Sequence, residues 1–139
     1  MNAIDTNVFI YACDRADPAK QVLAEELIDR LMTNSSQTLL LWQVAVELLA
    51  YWRKLKNLGS LSDIQVSSYF DQAVQMFPVH MPTVAVLEGS FALQSRFSLS
   101  HWDSLLIAAC QESEVDTLYS EDMQHGAIYG GVAIINPFL

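Results

Sequence analysis

Apolar and polar residues fall in blocks along this chain, and the block lengths separate strands from helices. Met1 to Ile4 is a short apolar run. Asp5-Thr6-Asn7 then supplies turn and cap side chains before the apolar segment Val8 to Cys13, which predicts strand, turn and short helix. Asp17-Pro18 joins an N-cap residue to a proline at the first helical position, and Val22, Leu23, Leu27, Ile28 and Leu31 follow at helical spacing. That helix is expected to end near Asn34. Thr38 to Leu41 has the length of a buried strand, whereas Gln43 to Lys56 is long enough only for a helix, closed by Asn57 and Gly59.

The pattern continues through the second half. Ser60 or Ser62 caps a helix reaching about Met76, Phe77 to His80 forms a short strand, and Pro82 opens a helix through about Arg96. Ser100 to Glu112 reads as another helix, Thr117 to Tyr119 as a strand before the polar Ser120-Glu121-Asp122 turn, and Val132 to Ile135 as a closing strand before Pro137. Strands separated by helices, with no hairpin signature between the early ones, imply right-handed crossovers. The expected fold is α/β, one domain over residues 1–139, with a mainly parallel five-stranded sheet flanked by helices.

Composition narrows this picture. Hydrophobic residues make up 52% of the chain and charged ones only 17%, which favours a packed interior over disorder. Cys13 and Cys110 show no spacing of a metal knuckle or redox pair and read as buried small hydrophobes. Asp5 follows Met1 to Ile4 without a basic region or a cleavable apolar core, so no signal peptide is expected. Gln43 and Glu47 interrupt the longest apolar stretch, Thr38 to Trp52, which is short for a membrane span. A soluble cytoplasmic protein with no membrane partner is the expectation. A net charge of -9 repels a phosphate backbone at long range, which argues against a simple nucleic-acid binder and suits a protein that gathers divalent cations or meets a basic partner.

Candidate chemistry rests on carboxylates. Asp5 and Asp122 both follow predicted strands, where open α/β sheets bind ligands, although each is also placed to cap a following turn or helix. Asp103 lies three residues after Ser100, a spacing that resembles a capping box and suits the helix dipole. Glu47 is the odd residue in the apolar run Leu39 to Leu49 and needs water, a partner or a metal, unless Gln43, Glu47 and Lys54 form a thin solvated stripe. Gathered together, these acids would repel one another without a cation. Mg²⁺, which binds through a few carboxylates while keeping waters, is the natural resolution.

Other chemistries find less support. His80, His101 and His125 are far apart in sequence and form no ligand pair, there is no phosphate-binding glycine loop, and Gly126 to Gly131 is not a dinucleotide fingerprint. Arg53, Lys54 and Lys56 suit a solvated helix end better than an RNA contact.

Taken in order along the chain, Asp5-Thr6-Asn7-Val8, a Glu within the third helix, Leu99-Ser100-His101-Trp102-Asp103 before an alanine-containing helix, Ser120-Glu121-Asp122-Met123-Gln124-His125-Gly126 and the closing Ile135-Asn136-Pro137-Phe138 resemble the PIN-domain nucleases, above all VapC-type toxins of type II toxin–antitoxin pairs. The resemblance implies a Mg²⁺-dependent endoribonuclease, with Mn²⁺ able to replace Mg²⁺. Asp5 and Asp103 would be the principal metal ligands, Glu47 and Asp122 would complete an acidic pocket, and Thr6, Asn7 and Ser120 would support the acids by hydrogen bonding. It also implies an RNA substrate, a cognate antitoxin and a homodimer. Ser104 stands where the family has a small apolar residue, and cations are scarce. Two alternatives stand beside this reading: a catalytically silent PIN-like binding module, and a receiver-like signalling domain. The second needs a lysine near a late strand, whereas the last lysine here is Lys56.

Overall fold

The computed structural model describes residues 1–139, and its elements follow the predicted blocks closely. They are β1 (Asn2–Ile4), α1 (Thr6–Cys13), α2 (Pro18–Met32), β2 (Thr38–Leu41), α3 (Trp42–Asn57), α4 (Asp63–Met76), β3 (Val79–His80), α5 (Val84–Phe97), α6 (His101–Glu112), β4 (Thr117–Tyr119), β5 (Ile128–Tyr129) and β6 (Val132–Ile135). A 3₁₀ turn, Ser35–Gln37, precedes β2.

Local chemistry accounts for the helix starts. The Asp17 carboxylate accepts from the Lys20 N–H at 3.2 Å, with Pro18 inside the first turn of α2. A full capping box starts α4: the Ser62 hydroxyl accepts from the Gln65 N–H at 3.2 Å, and the Gln65 side chain accepts from the Ser62 N–H at 2.9 Å. Thr83 caps α5, so Pro82 lies just before that helix and not within it.

The sheet has six strands in the order β3-β2-β1-β4-β6-β5, one more than expected. The first five in that order run parallel, and β5 pairs antiparallel with β6. The added strand comes from a tight hairpin whose two loop residues, Gly130 and Gly131, have φ of 56° and 87°. A two-residue turn with both central residues at positive φ matches the twist of the flanking strands, and Gly-Gly supplies it without strain. The signal was present in the sequence, but two-residue strands on either side gave it no periodicity to stand out against.

Ile4, Leu40, Leu41, Leu118, Val132 and Ile134 are buried in the sheet, and Val8, Val44, Leu48 and Ile107 cover it from the helices. Burial on both faces explains why the strands read as continuous apolar runs and not as alternations. Helices α1 to α4 pack against one another, whereas α5 pairs with α6, which reaches β6. The chain builds outward from β1 through β2 to β3, then crosses back to place β4 on the other side of β1. The β1–β4 boundary is therefore a topological switch point, where the crevice beyond the strand ends is open to a ligand.

Two smaller points complete the fold. No helix is long and apolar enough to cross a membrane. Cys110 is buried as expected, but Cys13 is exposed, because it is the last residue of α1, where the apolar segment leaves the core.

Candidate active site

Strand register alone brings two of the predicted residues together. Ile4 of β1 is level with Tyr119 of β4, so the next residues, Asp5 and Ser120, emerge side by side at the carboxyl ends of adjacent strands. The Asp5 N–H continues the ladder by donating to the Tyr119 carbonyl at 2.9 Å, and the Ser120 N–H donates to the Ile135 carbonyl at 3.0 Å. Asp5 is only 5% exposed.

A polar network fixes the Asp5 carboxylate. One oxygen accepts from the Thr6 N–H at 2.7 Å, which caps α1. The other accepts from the Ser120 hydroxyl at 2.7 Å and from the Asn7 side-chain amide at 3.3 Å. Asp5 therefore caps α1 while standing at the carboxyl end of β1. The Ser120 hydroxyl also accepts from the Asp122 N–H at 3.1 Å, and the Asn7 side-chain oxygen Oδ1 accepts from the Glu121 N–H at 3.3 Å, so the loop carrying Asp122 is tied to the start of α1.

Glu47 reaches the same region from α3. Its carboxylate accepts from the Thr6 hydroxyl at 2.6 Å and, through its other oxygen, from the Gln43 side chain at 3.1 Å. Gln43 donates in addition to the Trp102 carbonyl at 3.3 Å, linking α3 to the start of α6. Asp103 occupies the first turn of α6, where the Ser100 hydroxyl accepts from its N–H at 3.1 Å. The reciprocal bond that would complete a capping box is not made there, so the Asp103 carboxylate is not consumed in closing the helix end.

The electrostatics show the acids acting on one another. Burial pushes the Asp5 carboxyl up from 3.8 to about 6; hydrogen bonds from Ser120 and Thr6 pull the other way, and the charges of Asp122 and Glu47 push it up further. Asp103 is also raised, first by burial and then by Asp122 and Glu47, against the pull of Ser100. Asp5, Glu47, Asp103 and Asp122 thus share one field, although they come from different parts of the chain. No three Asp, Glu, His or Cys side chains converge tightly enough to hold an ion between them alone.

The remaining sequence candidates make contacts other than with the four acids. His80 approaches Glu112 at 3.4 Å, His101 packs against Trp102, and His125 accepts from the Asn136 N–H at 3.0 Å. Arg53, Lys54 and Lys56 lie toward the opposite end of α3 from Glu47, with Lys56 paired to Asp63 at 3.1 Å. Ser104 is fully buried and returns its hydroxyl to the His101 carbonyl at 2.7 Å, which lets it fill a small apolar position. Sequence reasoning passed over Lys20. Its ammonium pairs with Glu121, next to Asp122, and lies over the Tyr11 ring at 4.5 Å from the centroid. Residues about a hundred positions apart left no local pattern by which to find it.

Solved structures match this architecture. A chain of a toxin–antitoxin complex from Klebsiella pneumoniae is 17% identical, with 99% of this chain and 98% of that chain covered and a TM-score of 0.68. A chain of VapBC2 from Rickettsia felis, bound to a DNA fragment from its promoter, is 14% identical, with 96% of each chain covered and a TM-score of 0.69. At these identities the likeness establishes the fold alone, the α/β architecture with a mainly parallel sheet between helices expected from the sequence. No family model matches the chain, and no curated protein matches it in sequence.

Proposed function

We propose that this chain is a Mg²⁺-dependent endoribonuclease and the toxin member of a toxin–antitoxin pair. The observation that carries the reading is the shared field of the acids at the switch point, where Asp5 is pushed up to about 6 by burial and by its neighbours. Such a cluster is costly for the fold unless a cation neutralises it. The similarity to chains from toxin–antitoxin complexes supports the biological role.

Asp5 and Asp103 would be the principal ligands of Mg²⁺ or Mn²⁺, with Glu47 and Asp122 completing the site directly or through water. When bound, the ion supplies positive charge to the phosphodiester oxygens and acidifies a water for in-line attack. The chain's own residues hold the acids in place. Ser120 and Asn7 orient one Asp5 oxygen, and Thr6 fixes Glu47. Supporting hydrogen bonds of this kind keep ligands aimed and basic.

The test is cleavage of a fluorogenic single-stranded RNA by the purified chain. Activity should require Mg²⁺ or Mn²⁺ and vanish in EDTA. Asp5→Asn and Asp103→Asn should lose more than the roughly 10- to 100-fold that a supporting group costs, and Ser120→Ala should fall within that range. Wild-type rates in Asp103→Asn, with contaminating nuclease excluded, would overturn the assignment. Metal-independent RNA binding without cleavage would favour the silent binding module.

A further inference from the structure

Beside the acids, a cleft of about 350 Å³ opens among α3, α5 and α6, with Trp42, Gln43, His80, Thr83, Trp102 and Leu105 in its lining. A smaller hollow of about 270 Å³ continues from it, walled by Trp42, Trp102, Gln43, Val46 and Glu47 itself. Trp42 and Trp102 are 45% and 62% exposed, a large amount of aromatic surface to leave in water beside a charged site.

We propose that this cleft is a nucleobase subsite, in which an unpaired base of single-stranded RNA stacks on Trp42 and Trp102 while its backbone lies at the acids. The inference rests on the nuclease reading. Three observations carry it. The cleft is continuous with the site, because Glu47 walls the smaller hollow, Trp102 directly precedes Asp103, and Gln43 bonds both to Glu47 and to the Trp102 carbonyl. None of the seven Lys and Arg side chains lines either hollow, and the chain carries a net charge of -9, so within the cleft no side-chain cation supplies affinity for phosphate. Stacking can supply affinity there, since it acts on the π-face that every base presents and needs no cation. The volume also falls within the range of small-ligand pockets, and Gln43, His80 and Thr83 give the otherwise apolar lining polar edges. A paired duplex, whose bases are already stacked, has no base to offer.

The test measures Mg²⁺-dependent cleavage of a fluorogenic single-stranded RNA by Trp42→Ala and Trp102→Ala, with Trp42→Phe and Trp102→Phe as conservative variants. Circular dichroism confirms folding, and sedimentation gives the mass of each protein. Each alanine should raise KM by roughly 5- to 100-fold, and each phenylalanine should restore most of the affinity. The RNA should quench tryptophan emission of the wild type, and a blunt duplex of the same sequence should not. Unchanged KM in the alanine variants, with wild-type cleavage intact, would overturn the subsite and leave the nuclease reading standing. So would a change in mass on alanine substitution with no quenching by RNA, which would make the cleft an interface between copies of this chain. Absence of metal-dependent cleavage by the wild type would overturn both readings together.

Discussion

Asp5 carries two opposed demands: its oxygens are organised by the Thr6 N–H, the Ser120 hydroxyl and the Asn7 amide as for a carboxylate, yet burial and neighbouring charge favour its protonated form. A carboxyl held at about 6 in the fold, against 3.8 ordinarily, keeps its proton more tightly folded than unfolded. The stability this contributes is complete below about pH 4 and is lost as pH rises through about 6. The loss is on the order of 3 kcal/mol for a shift of about two units. In EDTA, wild type should therefore lose stability relative to Asp5→Asn between pH 4.5 and 7.5, and Mg²⁺ should restore it at the upper end. Urea midpoints of both proteins across that range check the sign; a difference that stays flat with pH would refute the burial and repulsion assigned to Asp5. The placement of Asp5 was legible because it directly follows a strand. Gln43 was not, because a glutamine one turn before a glutamate on a helix reads as solvated surface until a second helix brings the Trp102 carbonyl within reach.

Helix α6 shows at the scale of one element how capping and chemistry divide a single turn. Ser100 satisfies the Asp103 N–H, and the Asp103 carboxylate is left in the field of Asp122 and Glu47. The two residues should respond oppositely to substitution. Ser100→Ala should cost about 0.5 to 2 kcal/mol with or without Mg²⁺, as loss of an N-cap does. Asp103→Asn should melt no lower than wild type in EDTA, because neutralising it relieves repulsion, and should gain little from added Mg²⁺. If Asp103 served only the helix dipole, its loss would instead cost on the order of 0.3 to 1 kcal/mol in both conditions. Thermal melts in EDTA and across a Mg²⁺ titration separate the outcomes, and a less stable Asp103→Asn with an undiminished Mg²⁺ response would remove Asp103 from the metal site. Most elements were readable because apolar run length and cap residues are local. Strand β5 escaped because its two residues, Ile128 and Tyr129, are held by a Gly-Gly turn and a partner strand and not by a pattern of their own.

Across the whole molecule, the parallel order of the sheet followed from the spacing of strands and helices, but which strand lies beside β1 did not. That neighbour is β4, and the pairing depends on the chain reversing direction after β3, a property of packing among α5, α6 and β6. The reversal creates the crevice, and the charge balance then determines what approaches it. Sixteen acidic residues face seven basic ones, and Lys20 and Lys56 are already paired with Glu121 and Asp63. A polyanion is therefore repelled until it is close, whereas a basic protein segment is drawn in from a distance. On the proposed reading the antitoxin supplies such a segment, with an arginine whose planar fork matches a carboxylate and sits at the acids in place of the ion. Association should then be steered electrostatically, its rate falling by on the order of 10-fold or more as salt is raised from near-physiological to several-fold higher. Glu47→Gln and Asp122→Asn should each weaken the complex, because each removes a charge that an arginine would face. Surface-coupled kinetics on a co-purified partner, run across a salt series with both variants, give the answer. A complex whose affinity ignores both ionic strength and these substitutions would place the partner elsewhere on the molecule, leaving the acids free for RNA while the partner is bound.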